Sequence, residues 1–95
     1  MLTSKQRATL RSLANTMPTI FQIGKGGVND NFMKQLNDAL EARELVKIRI
    51  LDTAFLDVKE TCSEVARLVD GEPVQAIGSR FVIYKESKDN KTIEL

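Results

Sequence analysis

The chain has no histidine and no tryptophan, a single cysteine, a single tyrosine and two prolines among its 95 residues. Without histidine, a Ser–His or Cys–His nucleophile pair is impossible, and a zinc site loses its usual nitrogen ligand. Most hydrolase chemistry is thereby excluded. The lone Cys62 cannot form an internal disulfide, and it lies on the apolar stripe of a predicted helix, where a small core residue is expected rather than a nucleophile. No apolar run approaches the roughly 20 residues of a membrane span. The first residues are polar and helix-starting where a secretory signal would carry an apolar core. A cytoplasmic protein with no membrane partner is expected. Carboxylates are the remaining acid–base groups, but Asp30, Asp38, Glu41 and Glu44 read as the wet face of one helix and Asp57, Glu60 and Glu64 as that of another. No catalytic pair, metal site or cofactor is expected from them.

A composition of 42% hydrophobic and 28% charged residues suits one domain with one modest core. The net charge of +1 conceals an uneven distribution. Residues 1–50 carry eight basic side chains (Lys5, Arg7, Arg11, Lys25, Lys34, Arg43, Lys47, Arg49) against four acidic ones, whereas residues 51–95 carry six against nine. A basic half beside an acidic half is expected if one face meets a polyanion and another meets solvent or a basic partner; ordinary scatter of surface charge is the alternative.

Thr3-Ser4-Lys5-Gln6 has the form of a capping box, and Leu10, Leu13, Ala14 and Met17 follow at helical spacing, so a helix is predicted over 4–16. Pro18 ends it. Residues 19–23 read as a short strand. Asn29 can cap a second helix over 30–43, with Phe32, Leu36, Ala39 and Leu40 on one side. Residues 45–50 alternate, sending Val46, Ile48 and Ile50 to the core and Lys47 and Arg49 away from it. Asp52 or Thr53 is expected to cap a third helix over 54–70, with Phe55, Val58, Cys62, Val65, Ala66 and Val69 as its apolar positions and Gly71 and Pro73 as its stop. Residues 74–77 and 80–84 flank Gly78-Ser79, a glycine-first hairpin turn. The order α-β-α-β-α-β-β defines an α/β fold with a four-stranded mixed sheet packed with helices. Residues 1–85 form the domain, and 86–95, polar and without period, read as a loose tail.

Between the first strand and the second helix stands Gly24-Lys25-Gly26-Gly27. Such a loop lets the backbone approach a ligand closely, and amides at a following helix start favour an anion. A strand-to-helix turn without a ligand would have the same glycines. The Lys-Ser/Thr that closes a Walker loop is missing, which weighs against a nucleotide site.

Four blocks in order, Leu2-Thr3-Ser4-Lys5-Gln6-Arg7, Ile23-Gly24-Lys25-Gly26-Gly27, Glu44-Leu45-Val46-Lys47-Ile48 and Gly78-Ser79-Arg80-Phe81-Val82-Ile83-Tyr84-Lys85, resemble the CRM (chloroplast RNA splicing and ribosome maturation) domain in its stand-alone bacterial YhbY-like form, over about residues 2–85. The resemblance implies a fold similar to the C-terminal domain of bacterial initiation factor three. It also implies a non-enzymatic RNA-binding protein that associates with precursors of the large ribosomal subunit. Ribosomal-protein contacts are allowed, and a monomer is expected because nothing in the sequence argues strongly for an obligate dimer, although an exposed sheet edge could support one. Carried over by residue, it places the Gly-x-x-Gly loop on Gly24, Lys25, Gly26 and Gly27 and a basic surface on Lys5, Arg7, Arg11, Lys47 and Arg49, with Arg80 and Lys85 as the basic positions of the last hairpin. One departure is Asn29, where the family often has threonine; both cap helices.

Phosphate and shape recognition of structured rRNA fits this composition better than base reading, since Phe21, Phe32, Phe55 and Phe81 are all expected in the core. A protein-interaction adaptor or a small phosphate-ligand domain remain the alternative readings. The acidic third helix has no role in the RNA account.

Overall fold

The computed structural model describes residues 2–95. Helix α1 (Ser4–Asn15) starts with the expected capping box: Thr3 Oγ1 accepts from the Gln6 amide while Gln6 Oε1 accepts from that of Thr3. Strand β1 (Phe21–Ile23) is shorter than the span 19–23 read from the sequence. Helix α2 (Asp30–Arg43) begins where predicted, with Asn29 Oδ1 accepting from the Phe32 amide at 2.8 Å. Strand β2 (Leu45–Ile50) also matches. Helix α3 (Val58–Leu68) is followed by the hairpin of β3 (Glu72–Ile77) and β4 (Arg80–Tyr84).

The sheet order is β1-β2-β4-β3. Strands β1 and β2, joined through α2, are parallel neighbours, and β4 inserts antiparallel between β2 and β3. The crossover through α3 therefore links strands that are not adjacent. Both faces of the sheet are used. On one, Val46, Ile48, Ile50, Phe81 and Ile83 pack against Phe32, Leu36 and Leu40 of α2 and Cys62, Val65 and Ala66 of α3. On the other, Leu45, Val74, Val82 and Tyr84 pack against Leu10 and Ala14 of α1, joined by Ile93 from the far end of the chain. A helix laid over the second face explains why Leu45 is buried although the alternation of β2 turns it away from the larger core.

The third helix departs from the sequence reading at its start. Residues 52–54 form a 3-10 turn, Phe55 follows with φ 53°, and Asp57, not Asp52 or Thr53, is the cap, its carboxylate accepting from the Glu60 amide at 2.9 Å. The 55-58-62 spacing suggested a longer helix, but Phe55 is 93% exposed and belongs to no core. At the other end, Asp70 takes the left-handed conformation (φ 58°) and the Gly71 amide closes on the Ala66 carbonyl. Gly71 is needed for a different reason: a Cβ there would stand 2.8 Å from the Tyr84 carbonyl oxygen.

Cys62 is buried, its Sγ 3.8 Å from the Gln75 carbonyl oxygen, and burial pushes its thiol up to about 11. A core role follows. A thiol-alkylating reagent at neutral pH should leave the folded protein unmodified and label it only in denaturant; labelling in the native state would show that this part of the core opens.

Two acidic residues also depart from expectation. Glu44 is not on a wet helix face. It lies just past α2 with φ 67°, fully buried, and its carboxylate accepts from the amides of Ser87 (2.8 Å), Thr92 (2.6 Å) and Ile93 (2.9 Å). Glu41, one turn earlier, accepts from the Ser87 hydroxyl and from the amides of Lys88 and Asp89. Residues 86–95 thus form no helix or strand, as read from the sequence, yet they are held against α2 by two carboxylates rather than hanging loose.

Candidate nucleic-acid interface

Three chain segments meet at the end of the sheet where β1, β2 and β3 all terminate. The Ile23 carbonyl at the end of β1 accepts from the Leu51 amide at 2.9 Å, and the Ile50 amide donates to the Ser79 carbonyl of the hairpin turn at 2.7 Å. The glycine loop, the segment after β2 and the β3–β4 turn therefore share one rim.

Within the loop, the Gly27 amide donates to the Gly24 carbonyl at 2.9 Å, closing a turn that leaves Gly27 at φ 66°. That left-handed conformation favours glycine. A Cβ at Gly26 would stand 3.2 Å from Asn29 Nδ2 and crowd the helix cap. Lys25 is exposed at the tip. The helix that follows is less free to attract an anion than the sequence suggested: Asn29 already occupies the Phe32 amide, and Asp30 in the first turn offsets part of the helix field.

Behind the loop, the register aligns Gln22 with Arg49 and Arg49 with Arg80, and Arg80 in turn with Ile77, so one row crosses all four strands. Arg49 and Arg80 are cross-strand partners, and both are exposed. Like charges directly opposite are unfavourable in a sheet. Among the described residues neither has an ion-pair partner; Arg80 Nε donates only to Thr19 Oγ1, at 3.2 Å. Lys47 is next along β2, half-buried, and with Gln75, Ile77, Arg80 and Val82 it lines a cleft of about 200 Å³. Helix α1 covers only the half of this face around Leu45, Val82 and Tyr84. The arginine half stays open.

The other sequence-predicted residues lie elsewhere. Arg7 Nη1 donates to the Pro73 carbonyl at 2.6 Å, tying α1 to the edge strand, so one of its guanidinium donors is structural. Its position three residues before Leu10 and seven before Ala14 already put it on the packed side of the helix. Lys5 is exposed on the first turn of α1, and Lys85 follows Tyr84; both are at the end of the sheet remote from the loop, as is the first turn's neighbour Leu2, which meets Tyr84 and Ile93. Arg11 is exposed on the outer side of α1. The structure thus groups Lys25, Lys47, Arg49 and Arg80 and separates them from Lys5, Arg7 and Lys85. Gln22 and Phe55 were missed as rim residues. Register alone reveals Gln22, and the break in the third helix reveals Phe55.

Three helices packed on a four-stranded mixed sheet are the frame of a known class. The chain belongs to the CRS1 / YhbY (CRM) domain family, whose model matches residues 2–85. It is 50% identical over 95 residues to the Bacillus subtilis protein named "Probable RNA-binding protein YqeI", covering 100% of this chain and 99% of that one. A Haemophilus influenzae protein named "RNA-binding protein" is 24% identical over 90 residues, covering 95% of this chain and 91% of that one. The fold is similar to the solution structure of a Staphylococcus aureus protein described as a candidate RNA-binding protein, with a TM-score of 0.79 and 49% identity over 100% of this chain and 99% of that one.

Proposed function

We propose that this protein binds structured RNA through the glycine loop and the adjoining Lys47–Arg49–Arg80 face, and that its RNA is large-subunit rRNA in pre-ribosomal particles, whose assembly it assists. The observation that carries the RNA part is the Arg49–Arg80 pair: two exposed like charges that are cross-strand partners with no ion-pair partner among the described residues, beside the glycine loop. A phosphate between or above them relieves their repulsion. Phosphodiester oxygens match that geometry, since guanidinium groups bind them in bidentate fashion. The names of the relatives supply the nucleic acid. The ribosomal part rests on the family resemblance. No group in the interface performs chemistry in this account; it grips backbone and leaves sequence largely unread.

Lys25 contributes one phosphate contact. Lys25→Ala is expected to fold normally and to lower the slope of log K against log salt by about one in an RNA titration. An unchanged slope would place the phosphate site away from the loop. For the ribosomal part, the wild-type protein should comigrate with large-subunit precursors on a low-salt sucrose gradient, with Lys25→Ala shifted toward free protein. A wild-type protein that stays at the top would point to another RNA or to a protein partner, and comigration that survives RNase to a protein partner.

A further inference from the structure

Phe55 is the one aromatic ring the fold leaves in solvent. Phe81 and Tyr84 are buried, and Phe21 meets Phe32 edge to face with ring centroids 6.1 Å apart. Phe55 is 93% exposed on a backbone of φ 53°, a conformation bulky residues rarely adopt. Its backbone is nevertheless pinned: the Phe55 amide donates to the Asp52 carbonyl at 3.2 Å, and the Ala54 amide to that of Leu51 at 3.0 Å. The strain and the exposure together present a ring on a rigid mount, and strain of this kind is found where function requires it.

The mount stands on the rim already described. Leu51, whose amide is bonded to the end of β1, also lies under the glycine loop, its Cδ1 3.6 Å from where a Gly24 Cβ would be. Phe55, Leu56 and Leu51 line an open groove of about 550 Å³ together with Gly78 and Ser79 of the hairpin turn. Ile77, 68% exposed, begins the arginine row from the same turn. A flat apolar ring thus adjoins a cationic surface. Asp52 in the groove repels phosphate but can accept an N–H from a base edge. Apolar wall, aromatic face and acceptor together suit a base, while the neighbouring lysine and arginines suit its backbone.

We propose that Phe55 is a stacking platform for an unpaired nucleobase of the RNA whose phosphates lie on Lys25, Arg49 and Arg80. This rests on the RNA-binding reading above and adds to it a preference for RNA with an extruded base. Every base has a π-face, so the platform selects unpaired nucleotides without selecting sequence.

The probes are a hairpin RNA with one bulged adenosine and the same hairpin fully paired. Phe55→Ala should weaken binding of the bulged hairpin about tenfold while leaving the paired hairpin and the salt slope unchanged. Because the chain has no tryptophan, Phe55→Trp creates a sole indole reporter. It should keep affinity for the bulged hairpin, and its fluorescence should be quenched by that RNA more than by the paired one. Circular dichroism of both variants should match wild type, since the ring packs in no core. Equal affinity of Phe55→Ala and wild type for the bulged hairpin, or an indole blind to the bulge, overturns the platform. If Lys25→Ala still has the salt slope shallower by about one in that event, the RNA reading stands and the groove is left for a protein partner. Failure of wild type to bind either hairpin at low salt would overturn both.

Discussion

Arg49→Glu should leave the protein at least as stable and make it a much poorer RNA binder. In the folded chain Arg49 faces Arg80 across β2 and β4. Like charges at directly opposite positions cost stability, whereas opposite charges there contribute roughly 0.2–1 kcal/mol. A glutamate at 49 replaces the repulsion with a cross-strand ion pair, so the melting temperature should hold or rise slightly. The RNA effect has the other sign. On the proposed interface the substitution would remove one phosphate contact and neutralise the neighbouring Arg80, so two contacts would be lost at roughly a tenfold each, or on the order of a hundredfold at low salt. The slope of log K against log salt should fall by about two. Thermal unfolding and RNA titration on the same preparation separate the two effects. Loss of stability together with loss of binding would mean that Arg49 supports the fold; unchanged binding would remove the arginine row from the interface.

Glu44→Ala should free the last residues of the chain and cost the most stability of any surface-distant polar substitution. Its carboxylate is the shared acceptor for three backbone amides, those of Ser87, Thr92 and Ile93, in a fully buried position. Hydrogen bonds to a charged acceptor are worth about 1.5–3 kcal/mol each, but the segment can undock and let water satisfy its amides, so about 2–3 kcal/mol in total is expected. Ile93 would leave the apolar cluster of α1 as the segment detaches. Hydrogen exchange should show the amides of Ser87, Thr92 and Ile93 unprotected while those of β2 and β4 stay slow. Glu44→Gly should be less harmful than Glu44→Ala, because φ 67° strains any side chain by about 1–2 kcal/mol and glycine escapes that cost. Equal protection in the Ala variant would show that the segment is held by other contacts.

The same clamp sets an acid dependence. Burial pushes the Glu44 carboxyl up, but the amides of Ser87, Ile93 and Thr92 outweigh it and hold the group below its ordinary value of 4.5. The Ser87 hydroxyl, followed by the amides of Lys88 and Asp89, lowers Glu41 to about 2. Because both folded-state values are depressed, the contribution of the clamp is complete above about pH 4.5 and is lost as pH falls toward 2. Exchange protection in residues 86–95 should fade across that acid range before the sheet opens, and Glu44→Ala should flatten the dependence.

Elements whose determinants are local were legible from the chain. The capping box at Thr3 and Gln6, the Asn29 cap, the alternation of residues 45–50 and the glycine-first turn at Gly78 depend on neighbours within a few positions, and each formed as read. The glycine loop was equally visible, since Gly27 is fixed by backbone conformation alone. Phe55 misled because its spacing from Val58 and Cys62 fits a helical stripe, while the 3-10 turn at Asp52–Ala54 and the cap at Asp57 interrupt the helix between them. Glu44 misled because a glutamate at the end of an amphipathic helix reads as solvated until the chain returns some forty residues later to use it.

The sequence by itself determined the type and order of the elements, the fold class and the chemical character of the loop, because these follow from periodicity, capping and backbone preference acting over short distances. Tertiary structure alone decided which charges lie together. Insertion of β4 between β2 and β3 brought Arg80 beside Arg49, the placement of α1 covered one half of that face and engaged Arg7, and the return of the chain buried Glu44. Each is a long-range pairing fixed by register and packing, for which no local pattern carries a signal.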